Sequence, residues 1–87
     1  MNDLEMYREQ LAMCDDRIID VLEERNSIIE KIMAYKQEYG MPVLQPAQEE
    51  KQEHRRQERL EGHCYQNEIE NVFSEIVRSS KRIQARH

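Results

Sequence analysis

Residues 3–39 read DLEMYREQLAMCDDRIIDVLEERNSIIEKIMAYKQEY, a stretch with neither glycine nor proline. Apolar side chains recur in it at alternating steps of three and four residues, which is typical of a helix that packs lengthwise against another helix. This stripe, called the seam below, consists of Leu4, Tyr7, Leu11, Cys14, Ile18, Val21, Ile28, Ile32, Tyr35 and Tyr39. A helix of roughly 35 residues spans about 50 Å. A small domain cannot cover such a rod, so we expect a partner chain rather than a monomeric antiparallel bundle.

Glycine and proline mark the end of this helix and the bounds of a second one. Gly40 and Pro42 end the first helix. Pro46 suits the first position of a second helix, because proline lacks only an N–H that would be unpaired there anyway. The pattern continues to about Leu60 and stops near Gly62. The second helix is almost entirely polar, which is typical of a solvated helix braced by charge pairs four residues apart.

A third helix is predicted from Asn67 to about Arg86. Asn67 followed by Glu70 resembles a capping box. Its apolar stripe consists of Ile69, Val72, Phe73, Ile76, Val77 and Ile83. No alternating β-branched run or hairpin dipeptide is present, so the predicted class is all-α, with residues 1–87 forming one domain.

Composition narrows the classes of partner. Only 18 of the 87 residues are Leu, Ile, Val or Phe, so a lone monomer would have a thin core and oligomerisation is expected. The net charge of −5 argues against nucleic acid and anionic membranes as partners. No apolar run reaches the ~18 residues of a membrane span and no signal peptide is recognisable, which favours a cytoplasmic location.

The cysteines and histidines do not suggest a metal site. Cys14 and Cys64 are 50 residues apart, and Cys14 falls on the seam, so buried free thiols are favoured over a disulfide or metal ligands. His54 and His63 are far apart in helical terms. We therefore expect no metal.

Two cations interrupt the apolar arc of the first helix. Arg25 occupies a seam position, and Lys36, eleven residues later, projects within about 20° of the same direction and ~16 Å along the axis. Buried charges are costly unless an anion meets them. Arg25 could pair with a glutamate of another helix, and Lys36 could extend past the helix end to water. Because the arc itself carries no acid, a site for a small dicarboxylate is the favoured interpretation.

Arg8 lies on the edge of the same arc, seventeen residues or about 25 Å from Arg25. Taken alone, its position is typical of an exposed surface arginine. If two first helices pair antiparallel, however, Arg8 of one subunit comes alongside the Arg25–Lys36 segment of the other.

Polar groups on the other helices complete the candidate set. Ser80 and Gln84, four residues apart on the inner stripe of the third helix, need partners, which could be backbone, water or ligand. Gln48 and Glu49 lie in the first turn of the second helix, where free N–H groups favour anions. Glu49 could equally be an acid that only stabilises the helix dipole.

From about Leu4 to Gln84 the chain resembles the all-helical class of chorismate mutase. The resemblance is carried, in order, by Arg8, Asp15, Glu24-Arg25, Lys36, Gly40-Met41-Pro42-Val43, Pro46, Glu49, Phe73, Ile76, Ser80 and Gln84. It implies an intertwined helical homodimer with two active sites, each receiving one arginine from the other subunit. It also implies the intramolecular rearrangement of chorismate to prephenate, without cofactor or covalent intermediate.

The resemblance implies roles for individual residues. Arg8 is similar to the arginine donated across the dimer to a substrate carboxylate, and Arg25 to the arginine that holds a carboxylate within the subunit. Lys36 resembles the lysine on a carboxylate and on the ether oxygen whose bond breaks, and Gln84 the group that bonds this oxygen from the other side. A glutamine amide donates at any pH, so this position should not require an acidic medium.

Two further implied contacts and two departures concern the second and third helices. Glu49 is similar to the acid that receives the ring hydroxyl, and Ser80 to the hydroxyl near the ring carboxylate. The family pattern Asp-Pro-x-Arg-Glu is here Gln45-Pro46-Ala47-Gln48-Glu49. Gln45 is a weaker N-cap than aspartate, and Gln48 removes one cation from the implied pocket.

The resemblance thus predicts an isomerase of aromatic amino-acid biosynthesis in the shikimate pathway. Two alternatives stay open. The first, suggested by Gln45 and Gln48, is an isochorismate-pyruvate lyase or amino-substituted chorismate mutase of the same fold. The second is a non-catalytic helical dimer that binds a dicarboxylate or a protein partner.

Overall fold

The computed structural model describes residues 2–86, which form three helices: α1 (Asp3–Glu38), α2 (Pro46–Leu60) and α3 (Gln66–Ala85). These residues contain no strand, so the predicted all-α class is confirmed. None of the three helices is long and apolar enough to cross a membrane. The predicted domain of residues 1–87 also includes Met1 and His87, which lie outside the described residues.

The turn after α1 sets the course of the chain towards α2. Gly40 has φ of 63°, a left-handed conformation that favours glycine. The N–H of Met41 donates to the carbonyl of Lys36 at 2.8 Å and that of Gly40 to Gln37 at 3.4 Å, which is the Schellman pattern. This turn folds the following loop back over the last turn of α1, so that Val43 lies beside the Lys36 side chain.

Only the C-terminal half of α1 packs within the chain. Ile29, Met33 and Lys36 are buried on the face that meets the other helices, whereas every residue from Asn2 to Val21 is exposed. The half-buried positions of α1 also lie in the C-terminal half. The N-terminal half therefore projects as a rod, and the molecule is 57 Å long.

Most of the seam is left uncovered by the chain's own helices, although Ile28 and Ile32 also line the cavity described below. Its large apolar members are between 44% and 62% exposed. Cys14 is a free thiol, as predicted, but it is exposed, so the prediction of a buried thiol is wrong for the single chain. The reason is that Cys14 lies in the N-terminal half of α1, which no other helix of the chain covers.

The predicted N-cap of α3 is wrong. The helix begins at Gln66, one residue before Asn67, and its N-cap residue Tyr65 makes no side-chain capping bond. The N–H of Ile69 donates to the Tyr65 carbonyl at 3.0 Å, and the Gln66 side chain donates to Glu70 at 3.3 Å. The turn before the helix thus starts it one residue earlier than side-chain capping alone would place it.

α3 packs on α1 and α2 through most of its predicted stripe. Phe73, Ile76 and Val77 are half-buried, whereas Val72 is 59% exposed and does not belong to the inner face. α2 contributes one buried apolar side chain, Leu60. Few apolar contacts therefore hold α2, and it forms the most polar wall of the molecule.

Candidate anion-binding site

A cavity of about 410 Å³ lies where the three helices meet. Seven of the eight side chains predicted for a site line it: Arg25, Lys36, Gln45, Gln48, Glu49, Ser80 and Gln84. α1 supplies the two cations, the start of α2 supplies the next three residues, and α3 supplies the last two. Apolar side chains, including Ile29, Ile32 and Val77, form the rest of the wall. The structure thus brings together residues that are up to 59 positions apart in the sequence.

Arg25 is half-buried and donates a hydrogen bond from Nη1 to Oγ of Ser80. Ser80 is only 6% exposed, and its hydroxyl donates in turn to the Ile76 carbonyl at 3.0 Å. Burial lowers the pKa of the Arg25 guanidinium below its ordinary value, and the positive charge of Arg56 lowers this pKa further. No carboxylate of residues 2–86 forms a salt bridge with Arg25, so an intrachain Arg25–glutamate pair is excluded there.

Lys36 is buried, with 8% of its surface exposed, so it does not extend to water past the end of α1. Its ammonium group donates to the carbonyl of Val43 at 2.7 Å. A carbonyl satisfies one of the three N–H donors but carries no net charge. Lys36 is thus a second cation of the cavity without a carboxylate partner among the described residues.

Among residues 2–86, Glu49 is the one carboxylate that lines the cavity, and it lies 3.6 Å from the ammonium of Lys81. Both side chains are about half exposed, so this ion pair adds little stability. Gln45 makes no side-chain cap, and α2 begins instead with its carbonyl accepting from the N–H groups of Gln48 at 3.0 Å and Glu49 at 3.1 Å.

The cavity is strongly cationic in an acidic chain. The described part of the chain contributes five cationic side chains and one acidic side chain, Glu49, to its wall, whereas the whole chain has a net charge of −5. The cations are Arg25, Lys36, Arg55, Arg56 and Lys81. Partly buried like charges repel each other, and an anionic guest relieves this repulsion. The arrangement can therefore bind a small molecule with more than one negative group. A carboxylate can accept bidentate bonds from the guanidinium groups.

Arg8 is the predicted site residue that the single chain does not bring to the cavity. It is exposed on the projecting half of α1, and none of residues 2–24 lines the cavity. The seventeen residues between them correspond to about 25 Å along a helix. Arg8 can reach such a cavity only if it belongs to another subunit.

Sequence reasoning missed three charged or aromatic members of the wall: Arg56, Phe73 as a cavity residue, and Lys81. Arg55, two turns after Gln48 in the same helix, also lines this cavity. For Lys81 a signal was present, because it follows Ser80 and precedes Gln84 by three residues, on the edge of the same helical face. For Arg56 no local signal existed, because its neighbours in the sequence are all polar.

A second cavity of about 520 Å³ lies between α2 and α3. Of the predicted site residues it contains Glu49 alone. Acidic and basic side chains alternate around it, including Glu53, Glu70 and Arg78. It lacks the excess of positive charge that distinguishes the first cavity.

Comparison with known proteins identifies the family. The family model described as chorismate mutase type II matches residues 7–85, which is nearly the whole chain. No curated protein and no solved structure gives a significant match. The match covers α1 from Tyr7 onwards, all of α2 and α3, the turns between the helices, and every described residue that lines the cavity. The chain therefore belongs to the type II chorismate mutase family.

Proposed function

We propose that the protein is a chorismate mutase, an isomerase that converts chorismate to prephenate in aromatic amino-acid biosynthesis. The observation that carries this proposal is the pair of cations, Arg25 and Lys36, in one cavity where no carboxylate of residues 2–86 forms a salt bridge with either. Family membership supports the reaction class, and the excess of positive charge suits a substrate with two carboxylates.

The reaction requires no acid, base, nucleophile or cofactor. An ether C–O bond breaks and a C–C bond forms within one molecule, so the protein's task is to hold the substrate compact and to stabilise the charge that develops on the ether oxygen. In our proposal Arg25 holds a carboxylate while Lys36 and Gln84 donate to the ether oxygen. Glu49 accepts the ring hydroxyl, and Ser80 orients Arg25 through the hydrogen bond described above.

We further propose that the working form is an intertwined homodimer in which each cavity is completed by the partner's Arg8. The exposed seam and the unpacked N-terminal half of α1 support this proposal, because about 28 Å of helix otherwise leaves its apolar side chains in water. An arginine from the partner adds one more cation to the open side of the cavity.

Gln45 and Gln48 support a related substrate as the second candidate. Both line the cavity at positions where the resemblance leads one to expect an acid and an arginine. An isochorismate-pyruvate lyase or an amino-substituted chorismate mutase would use the same fold with an altered ring-binding region. Mass spectrometry of the products from each substrate separates the candidates, and exclusive formation of prephenate from chorismate eliminates this second one.

A turnover assay tests the main proposal. Purified protein should consume chorismate, measured as loss of its absorbance, and Arg25→Ala and Lys36→Ala should each lower kcat/KM by at least about 10- to 100-fold, the effect of losing a charge-assisted hydrogen bond. The matched control is Arg59→Ala, an exposed arginine of α2 outside the cavity. A wild-type rate equal to that in buffer rejects the proposal. Tight binding of a bicyclic dicarboxylate mimic without turnover would favour a non-catalytic binding protein.

Subunit mixing tests the donation of Arg8. Arg8→Ala and Arg25→Ala should each be nearly inactive alone. In a mixed dimer, one cavity combines the intact Arg25 of one subunit with the intact Arg8 of the other, and the second cavity lacks both. An equimolar, randomly paired mixture should therefore recover about a quarter of the wild-type sites. No recovery after unfolding and refolding the two variants together contradicts the proposed arrangement.

A further inference from the structure

Arg56 is held against the cavity wall by an aromatic ring. Its guanidinium carbon lies 5.5 Å from the centroid of Phe73, in a cation–π arrangement, and the side chain is half-buried. A stacked arginine has already lost much of its rotational freedom, so binding a ligand costs it little further entropy. Arg56 lines the cavity that contains Arg25. It is therefore a preorganised cation at this site.

Arg56 and Arg25 line the same cavity, and the positive charge of Arg56 acts on Arg25. Although Arg56 also borders the second cavity, its positive charge is felt at Arg25, where it lowers the pKa of that guanidinium after the larger effect of burial. Neither arginine has a carboxylate within salt-bridge distance among residues 2–86. A single anion that lies between two partly desolvated guanidinium groups relieves the repulsion between them.

We propose that Arg56 is a further substrate-binding residue, and that the guanidinium groups of Arg56 and Arg25 clamp one carboxylate of the ligand between them. This inference rests on the proposed function, which supplies the carboxylate. None of the roles implied by the family resemblance falls on position 56. The family pattern has an arginine where this chain has Gln48. In the proposed clamp, Arg56 supplies this positive charge from two turns further along the same helix.

The competing explanation is that Arg56 only attaches α2 to α3 by stacking on Phe73. The two explanations differ in their consequences for Arg56→Met. Methionine is an unbranched side chain that also packs well on aromatic rings. A purely structural role therefore predicts unchanged affinity for an anion, whereas the clamp predicts a loss of affinity without a loss of folding.

Calorimetric titration with a bicyclic dicarboxylate mimic of the transition state makes the first test. Arg56→Met should weaken binding by about 10- to 100-fold, as expected for the loss of a charge-assisted contact. Arg59→Met is the control, because it removes the same charge from the same helix at an exposed position outside both cavities, and it should change binding less than about 2-fold. Adding Gln48→Arg to Arg56→Met should recover part of the lost affinity.

Side-chain NMR provides a test that does not depend on turnover. In ¹⁵N-labelled protein titrated with benzoate, a simple monocarboxylate, the Nε–H resonances of Arg25 and Arg56 should shift together with one apparent Kd. The Arg59 resonance should stay unchanged. If only Arg25 shifts, or neither arginine shifts, the clamp is overturned.

The two proposals fail in different ways. Turnover of chorismate with unimpaired binding in Arg56→Met leaves the mutase assignment intact and rejects the clamp. Absence of turnover, with both arginine resonances shifting in benzoate and with weakened binding in Arg56→Met, rejects the mutase and supports the clamp for another carboxylate.

Discussion

Lys36 is a charged side chain in the most buried part of the molecule. It shares the inner face of α1 with Ile29 and Met33, and its hydrogen-bond partner is the neutral carbonyl of Val43. Burying a charge without a counter-charge lowers stability, and proteins accept such a cost chiefly at functional sites. The same property that suits Lys36 to an anionic ligand should therefore weaken the empty protein.

Replacing Lys36 with methionine should separate function from stability. Lys36→Met should abolish most of the proposed mutase activity, by about 100-fold or more, because the cation is lost. The free energy of unfolding should stay unchanged or rise by about 1–2 kcal/mol, because no protein carboxylate is orphaned. Chemical denaturation and the chorismate assay measure the two effects. Lys31→Met, at an exposed position of the same helix, should change neither, and a large loss of stability in Lys36→Met contradicts the argument.

The pH dependence of the proposed mutase activity should be governed by the type of residue at position 84. A glutamine amide donates its N–H at any pH, and Arg25 remains protonated at neutral pH even though burial and Arg56 lower its pKa. In Gln84→Glu the carboxyl group can donate only when protonated. Its activity should therefore fall as pH rises through the pKa of the new carboxyl and recover on acidification.

Rate measurements from about pH 5 to pH 8 test this prediction, with wild type expected to vary by less than about 3-fold. Gln57→Glu, the same substitution outside this cavity, should follow the wild-type profile. A Gln84→Glu profile parallel to wild type would show that position 84 does not donate to the reacting oxygen.

At the scale of single helices, α2 is the element held least firmly. It begins without a side-chain cap and buries Leu60 alone among its apolar side chains. Its further tertiary contacts include the stacking of Arg56 on Phe73 and the ion pair of Glu49 with Lys81. A helix that forms one wall of the cavity yet is weakly attached should open more readily than α1 or α3.

A better N-cap should stabilise α2. Gln45→Asp places an oxygen acceptor and a negative charge at the first free N–H groups, and it should raise the free energy of unfolding by about 0.5–1 kcal/mol. The same exchange in the middle of the helix, Gln57→Asp, should lower stability slightly, because aspartate has poor helix propensity there. Urea denaturation measures both. Equal effects of the two substitutions contradict the capping explanation.

At the scale of the whole molecule, the main feature is an elongated form 57 Å in length. Its longest helix, α1, is covered by the other helices over only half its length. The seam contributes several side chains near 60% exposure, including Leu11 at 62% and Val21 at 60%. In a stable protein such a continuous apolar stripe is typical of an interface. In the proposed dimer, the seam is the interface between the two subunits.

A pair of matched substitutions tests whether the seam is that interface. Leu11 and Met13 are almost equally exposed in the single chain, at 62% and 65%, but they point in nearly opposite directions from α1 and only Leu11 belongs to the seam. Leu11→Glu should shift the protein towards monomers and lower the free energy of unfolding, because the stabilisation that comes from association is lost. Met13→Glu should leave the oligomeric state unchanged. Sedimentation equilibrium distinguishes the two, and a monomeric wild type excludes the dimer.

The three helices could be predicted from sequence because local chemistry sets their bounds. Gly40, Pro46 and Gly62 interrupt the chain where the backbone must turn, and the predicted helix ends agree with the structure within one or two residues. The capping box at Asn67 was wrong, because backbone bonds in the preceding turn started α3 one residue earlier. Arg25 and Lys36 could be singled out because charges on an apolar arc stand out in any helical projection.

The sequence by itself determined the helical class, the length of α1, and the presence of charges that its apolar face cannot neutralise. Only the tertiary structure decided which face of α1 meets α3, and hence that the seam is left exposed and that Val72 lies outside the core. It also decided that Arg56 and Lys81 join Arg25 around one cavity. The physical reason is that periodicity fixes the direction of a side chain about its own helix axis. The rotation of each helix relative to its neighbours depends on packing between residues distant in the sequence.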